Sequence, residues 1–130
     1  MTLRQIGVSD YLMGRDKNYI LPPQVVINAA KLLDKVNALL KEFGEERKVS
    51  SGWRPAELNA TVPGAAKTSK HITGDAIDLE DRNGKLKEWC VFNQDKLELL
   101  GLYMEDPAST PTWVHLQQLP PKSGKLIFKP

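Results

Sequence analysis

The sequence has little to build a disulfide framework or a thiolate metal site from. Its one cysteine, Cys90, excludes an internal disulfide and a finger-type zinc site, and its place in a helical stretch reads as a small core residue. It has almost no net charge: 18 Lys and Arg stand against 16 Asp and Glu, interleaved along the chain, for a balance of +2. A nucleic-acid binder would show a basic face or run, so that class is set aside. No apolar stretch approaches the roughly eighteen residues of a membrane span. Met1 to Gly7 has no apolar core of the signal-peptide kind, which makes cytoplasmic synthesis the expectation. There is no internal repeat and no low-complexity segment. A chain of 130 residues reads as one domain over 1–130, large enough to bury a core without covalent staples, and a monomer is the expectation.

The strongest periodic signal lies at 23–43. Val25, Val26, Ala29, Leu32, Leu33, Val36, Leu39, Leu40 and Phe43 form one apolar stripe at helical spacing. Pro22 and Pro23 suit its first turn and Gly44 its stop. The face carries no polar group suited to chemistry, so the helix reads as scaffold. Residues 85–100 read as a second helix, with Leu86, Trp89, Cys90, Leu97 and Leu100 inward. Short strands are expected at 48–53, 76–79, 102–104, 113–116 and 125–128, a loop at 61–70, and a short helix with a loop before residue 22. Helices and short strands without βαβ alternation make an α+β domain.

Only two histidines are present, and each has a distinctive setting. His71 lies in Ser69-Lys70-His71-Ile72-Thr73-Gly74-Asp75-Ala76-Ile77-Asp78-Leu79. An imidazole from His71 and a carboxylate from Asp78 are both good zinc ligands. Seven extended residues would span about 23 Å, so the chain must turn back between them, and Gly74 supplies the permissive backbone. Beyond the turn, strand alternation places Ala76 and Asp78 on one face and Ile77 and Leu79 on the other. His115 lies in Trp113-Val114-His115-Leu116-Gln117, where Trp113 and His115 share a face and Val114 and Leu116 take the other. Two histidines and one carboxylate leave a fourth zinc position open, the catalytic rather than the structural arrangement. Trp113 would then be an aromatic wall of the cleft.

Ser51-Gly52-Trp53-Arg54-Pro55, Asn59-Ala60, Ser69-x-His71-x-x-Gly74-x-Ala76-x-Asp78 and Trp113-x-His115, in that order, resemble the zinc D-alanyl-D-alanine carboxypeptidase family. That family shares its fold with the vancomycin-resistance D,D-dipeptidases and the hedgehog signalling domain. The resemblance covers about residues 48–118. It implies a small antiparallel sheet with flanking helices and a zinc ion on His71, Asp78 and His115. It also implies that Arg54 binds the substrate carboxylate or polarises the scissile carbonyl, and that Ser69 lines the cleft. Tyr11-Leu12-Met13-Gly14-Arg15 and the tail Pro120-Pro121-Lys122-Ser123-Gly124 are further similar to small peptidase-like proteins of phage genomes, which implies release at lysis or carriage on a virion. In the family an acid often stands three positions before the last histidine as general base. Thr112 occupies that position here, so the base is sought in Glu105 or Asp106, with Glu105 favoured.

The implied function is a zinc metallopeptidase, of D,D-carboxypeptidase or endopeptidase type, hydrolysing the peptide part of peptidoglycan. Two alternatives remain: an inactive zinc-stabilised binding or structural module, possible for a phage particle, and a peptidase of cytoplasmic protein substrates.

Overall fold

The computed structural model describes residues 2–130. Helix α1 (Val8–Leu12) leads through a 3-10 turn at Arg15–Lys17 to α2 (Pro23–Phe43), strand β1 (Val49–Ser51), the single turn α3 (Ala56–Asn59) and β2 (Ala76–Glu80). Then come α4 (Lys85–Phe92), α5 (Gln94–Leu100), β3 (Tyr103–Glu105), a 3-10 turn at Pro107–Ser109, β4 (Trp113–Gln117) and β5 (Ile127–Phe128). The architecture is α+β, as the element pattern predicts. No helix among the described residues is long and apolar enough to cross a membrane.

Helix α2 runs over the predicted span. Pro23 occupies its first turn, where a missing N–H costs nothing, and Gly44 ends it at φ +90° with its N–H on the Leu40 carbonyl. Val25, Ala29, Leu32, Leu33, Val36, Leu39 and Leu40 are buried. Val26 is exposed, so the stripe is narrower than the sequence suggests. The helix is more than apolar scaffold. Asn37 accepts from the Ile6 N–H at 2.8 Å and donates to the Ile6 carbonyl at 3.0 Å, and Asn28 donates to the Thr73 carbonyl at 2.8 Å.

The stretch 85–100 is two helices, not one. Asn93 leaves helical backbone (φ −128°, ψ 44°) while its side-chain amide donates to the Trp89 carbonyl at 2.8 Å. An asparagine amide that satisfies a terminal carbonyl competes with helix continuation. The inner face is nonetheless the one expected: Leu86, Cys90 and Leu97 are buried, and Trp89 meets Phe43 edge-on at 5.7 Å. Asp81, fully buried before α4, accepts from the N–H groups of Leu86 and Lys87 and from Arg47. These bonds at the helix start, together with the Arg47 charge, satisfy a carboxylate that could not otherwise be buried.

The five strands are ordered β1-β2-β4-β3-β5. Every neighbouring pair is antiparallel except β3 with β5, which run parallel. In the central pair Ile77 faces Leu116 and Leu79 faces Val114, all buried. With Met104 of β3 they join the α2 residues in one core. By alternation the opposite face carries Ala76, Asp78, Glu80, Trp113, His115, Gln117, Tyr103 and Glu105. Strand β1 contains a bulge: Val49 pairs with Leu79, but Ser51 pairs with Asp78. One extra residue on β1 thus lets Val49 point to the core and brings Ser51 beside Asp78.

Candidate metal centre

Asp78 and His115 are direct cross-strand partners on the face away from the core. Their facing atoms, Asp78 Oδ1 and His115 Nδ1, lie 2.9 Å apart. His71 reaches them from the loop before β2. That loop turns back at Gly74, whose φ is +85°, and is tied by bonds from Ile72 N–H to the Ser69 carbonyl and Asp75 N–H to the Lys70 carbonyl. It lies against the start of α2: a Cβ on Gly74 would stand 2.7 Å from the Val25 carbonyl oxygen. His71 Nε2 ends 3.4 Å from Asp78 Oδ2. One donor atom from each of the three residues falls within 4.8 Å of the others.

The segment 51–54 wraps this loop. His71 Nδ1–H donates to the Gly52 carbonyl at 2.9 Å, Trp53 Nε1–H to the Ile72 carbonyl at 3.2 Å, and the Arg54 N–H to the His71 carbonyl at 3.1 Å. The bond at Nδ1 leaves Nε2 of His71 free to face Asp78. Tyr11, wholly buried, anchors the other side, its hydroxyl donating to the Ala76 carbonyl at 2.7 Å.

Two imidazoles and a carboxylate, convergent and partly desolvated, suit a divalent zinc ion. Their electrostatics are those of a carboxylate paired with two imidazoles. Burial pushes the Asp78 carboxyl up, but hydrogen bonds and charge from His115 and His71 outweigh it and hold the group below the usual carboxylate range. Burial pushes the His115 imidazole down, and the Asp78 hydrogen bond and charge reverse this and raise it. His71 is buried, while Asp78 and His115 keep about 15% of their side-chain surface, so the cluster opens to solvent on one side.

The other residues singled out in the sequence fall at different distances from this centre. Tyr103 pairs with Gln117 and Met104 with Leu116; strand alternation puts Glu105 on the His115 face, near enough for the charges of the two groups to act on each other. Glu105 is half-buried, and burial is the main reason its carboxyl is raised, with the histidines opposing and Asp78 adding to the rise. Asp106 is committed elsewhere: its side chain accepts from the Ala108 N–H at 3.2 Å and caps the 3-10 turn. Arg54 donates to Asn59 Oδ1 at 3.1 Å and to Ser51 Oγ at 3.2 Å. Among the described residues no carboxylate lies within 4.0 Å of it. Ser69 Oγ accepts from the His71 N–H at 3.3 Å. Trp113, half-buried, opens β4 two residues before His115 on the same face. Thr112 is exposed, its carbonyl taking the Asp81 N–H.

Three contributors escaped the sequence reading. The Gly52 carbonyl is backbone and has no side-chain signature. Phe128 meets the His115 ring edge-on at 6.0 Å, through a parallel pairing of β5 with β3 that no local pattern announces. Gln117 Oε1 lies 2.8 Å from His115 Nε2; its place two residues along the same strand face was the available signal.

No curated protein and no solved structure matches the chain at a significant level. A family model described as Peptidase M15 matches residues 4–116. That span is most of the chain and holds His71, Asp78 and His115, and the chain therefore belongs to the M15 family of zinc D-Ala-D-Ala carboxypeptidases.

Proposed function

We propose that the chain is a zinc-dependent peptidase of peptidoglycan peptides, with His71, Asp78 and His115 as the zinc ligands. The observation that carries the proposal is the meeting of these three side chains on the sheet face away from the core; strand alternation puts Glu105 on that same face. Zinc in such a site polarises a carbonyl and activates water for attack at neutral pH.

The chain's own groups have separable tasks. Glu105, raised by burial, takes the proton of the attacking water; a base tuned toward neutrality suits that role. Asp106 is the weaker candidate, since its carboxylate already serves the 3-10 turn. The Arg54 guanidinium is held in place by two neutral partners, so its charge is available to a substrate carboxylate or to a developing oxyanion. Trp113 walls the cleft, and Ser69 shapes its rim while supporting the His71 backbone. D-amino-acid stem peptides or crosslinks of the wall are the substrate class, and carriage or release by a phage fits that substrate.

A second reading is favoured by one residue: Thr112 stands where the resemblance expects an acid. In that reading zinc stabilises a binding module without turnover. Both readings are tested together by elemental analysis and by hydrolysis of purified wall peptides. One zinc per chain, lost in His71→Ala, Asp78→Ala and His115→Ala, with release of peptide or D-alanine by the unaltered chain, supports the peptidase. Full zinc with no cleavage of any D,D- or L,D-linked peptide leaves the binding module. Full zinc retained by His115→Ala sinks both.

A further inference from the structure

We infer that Gln117 is a positioning residue that sets which nitrogen of His115 is offered to the metal. The inference rests on the zinc reading above and adds to it a residue one position beyond the segment matched by the family model.

Two hydrogen bonds fix the Gln117 amide. The Gln117 side-chain NH₂ donates to the Leu119 carbonyl at 2.7 Å. A carbonyl only accepts, so this bond fixes which end of the amide is nitrogen. The other end, Oε1, therefore faces His115 Nε2 at 2.8 Å and accepts from it. His115 Nε2 thus carries a proton, and Nδ1 is the nitrogen turned to Asp78. Gln117 is itself buried, so water does not replace it easily. It stands across from Ala76, whose methyl leaves room for the longer side chain.

His71 is oriented in the opposite sense, through Nδ1–H on the Gly52 carbonyl. That acceptor is main chain, held by the fold. The acceptor for His115 is one side chain, so its orientation depends on residue identity. The two imidazoles consequently meet Asp78 through different atoms, Nε2 from His71 and Nδ1 from His115. Partners of this kind typically change metal affinity by about ten- to a hundredfold when removed.

The test uses the full chain, whose two histidines make nitrogen NMR of the imidazoles simple to assign. In the zinc-loaded protein the His115 proton is expected on Nε2 and the His71 proton on Nδ1. A His115 proton on Nδ1 overturns the inference, and this reading needs no variant. Zinc affinity, measured by competition with a chromogenic chelator, supplies the second arm. Gln117→Met, which keeps length and loses the acceptor, is expected to weaken binding roughly ten- to a hundredfold, and Gln117→Glu, which keeps an acceptor oxygen, to recover most of it. Melting of the metal-free variants checks that both fold. Affinity of folded Gln117→Met equal to that of the unaltered chain overturns the inference while leaving the zinc reading intact. An unaltered chain that binds no zinc overturns the zinc reading, and this inference with it.

Discussion

Gly74 is where the ligand loop can be tested most directly. Gly74→Ala meets two separate penalties. The residue sits at φ +85°, and a left-handed backbone costs an L-residue about 1–2 kcal/mol. Its new Cβ would also stand 2.7 Å from the Val25 carbonyl oxygen and 3.2 Å from Val25 Cγ1. The first is backbone at the start of α2 and cannot swing aside, so the loop or the helix must shift, at the roughly 1–3 kcal/mol typical of overpacking. Gly64 provides the control. It has φ +75° but nothing within 4 Å of its built Cβ, so Gly64→Ala bears the backbone term alone. The gain from a less flexible unfolded chain applies to both and cancels. Measured with chelator present, Gly74→Ala is expected to lose about 1–3 kcal/mol more than Gly64→Ala, roughly 3–12 °C in Tm for a chain of this size. Because His71 rides on the same loop, zinc affinity should fall in Gly74→Ala and hold in Gly64→Ala. Equal melting and equal affinity of the two variants would refute the claim that the loop is seated on α2.

Three other outcomes are expected. Glu105→Gln should leave zinc content and melting nearly unchanged but slow cleavage of wall peptides by about a hundredfold or more, with Asp106→Asn milder because Asn keeps an acceptor for the turn; unaltered turnover in Glu105→Gln removes Glu105 from the mechanism. Leu33, buried in the α2 face, should cost about 2–5 kcal/mol when cut to Ala, and an unmoved denaturation midpoint would place the face wrongly. The third concerns the metal-free chain. Asp78 is lowered in the fold, so its contribution is present above the unfolded carboxylate value and lost as pH falls through the folded one. His115 is raised, so its contribution is present below the unfolded imidazole value and lost as pH rises through the folded one. Metal-free melting should therefore peak between about pH 4 and pH 7 and decline on both sides, and Asp78→Asn should flatten that profile. A pH profile of the variant identical to that of the unaltered chain would refute the coupling.

What the sequence made legible about the fold follows from the range over which each signal acts. Helix α2 could be read to the residue because 21 positions repeat one stripe between a proline and a glycine. The break at Asn93 could not, since Leu86, Cys90 and Leu97 stay on one inner face whether the helix is continuous or cut. Strand positions came from alternation, but alternation is silent on partners. The parallel β3–β5 pair and the bulge in β1 are decided by packing between distant segments, and a small sheet expected to be antiparallel proved to carry one parallel edge.

The site divides along a different line. The convergence of His71, Asp78 and His115 was legible because a metal site of the proposed kind would demand particular side chains, and few chemical types would serve. The groups that aim them were not, because an acceptor can be any carbonyl. Gly52 illustrates the case. Its glycine is required by space rather than by turn geometry: a Cβ there would lie 1.9 Å from the Tyr11 carbonyl oxygen. That close approach lets the Trp53 N–H bond to Tyr11 at 2.9 Å and leaves the Gly52 carbonyl on His71. The block Ser51-Gly52-Trp53-Arg54 then reads as one device. Ser51, delivered by the bulge, stands beside Asp78 and holds Arg54; Gly52 orients the His71 ring; Arg54 and Trp53 bind the consecutive loop carbonyls of His71 and Ile72. A motif quoted in the sequence as a string is, in three dimensions, the clasp that keeps a buried histidine facing its carboxylate.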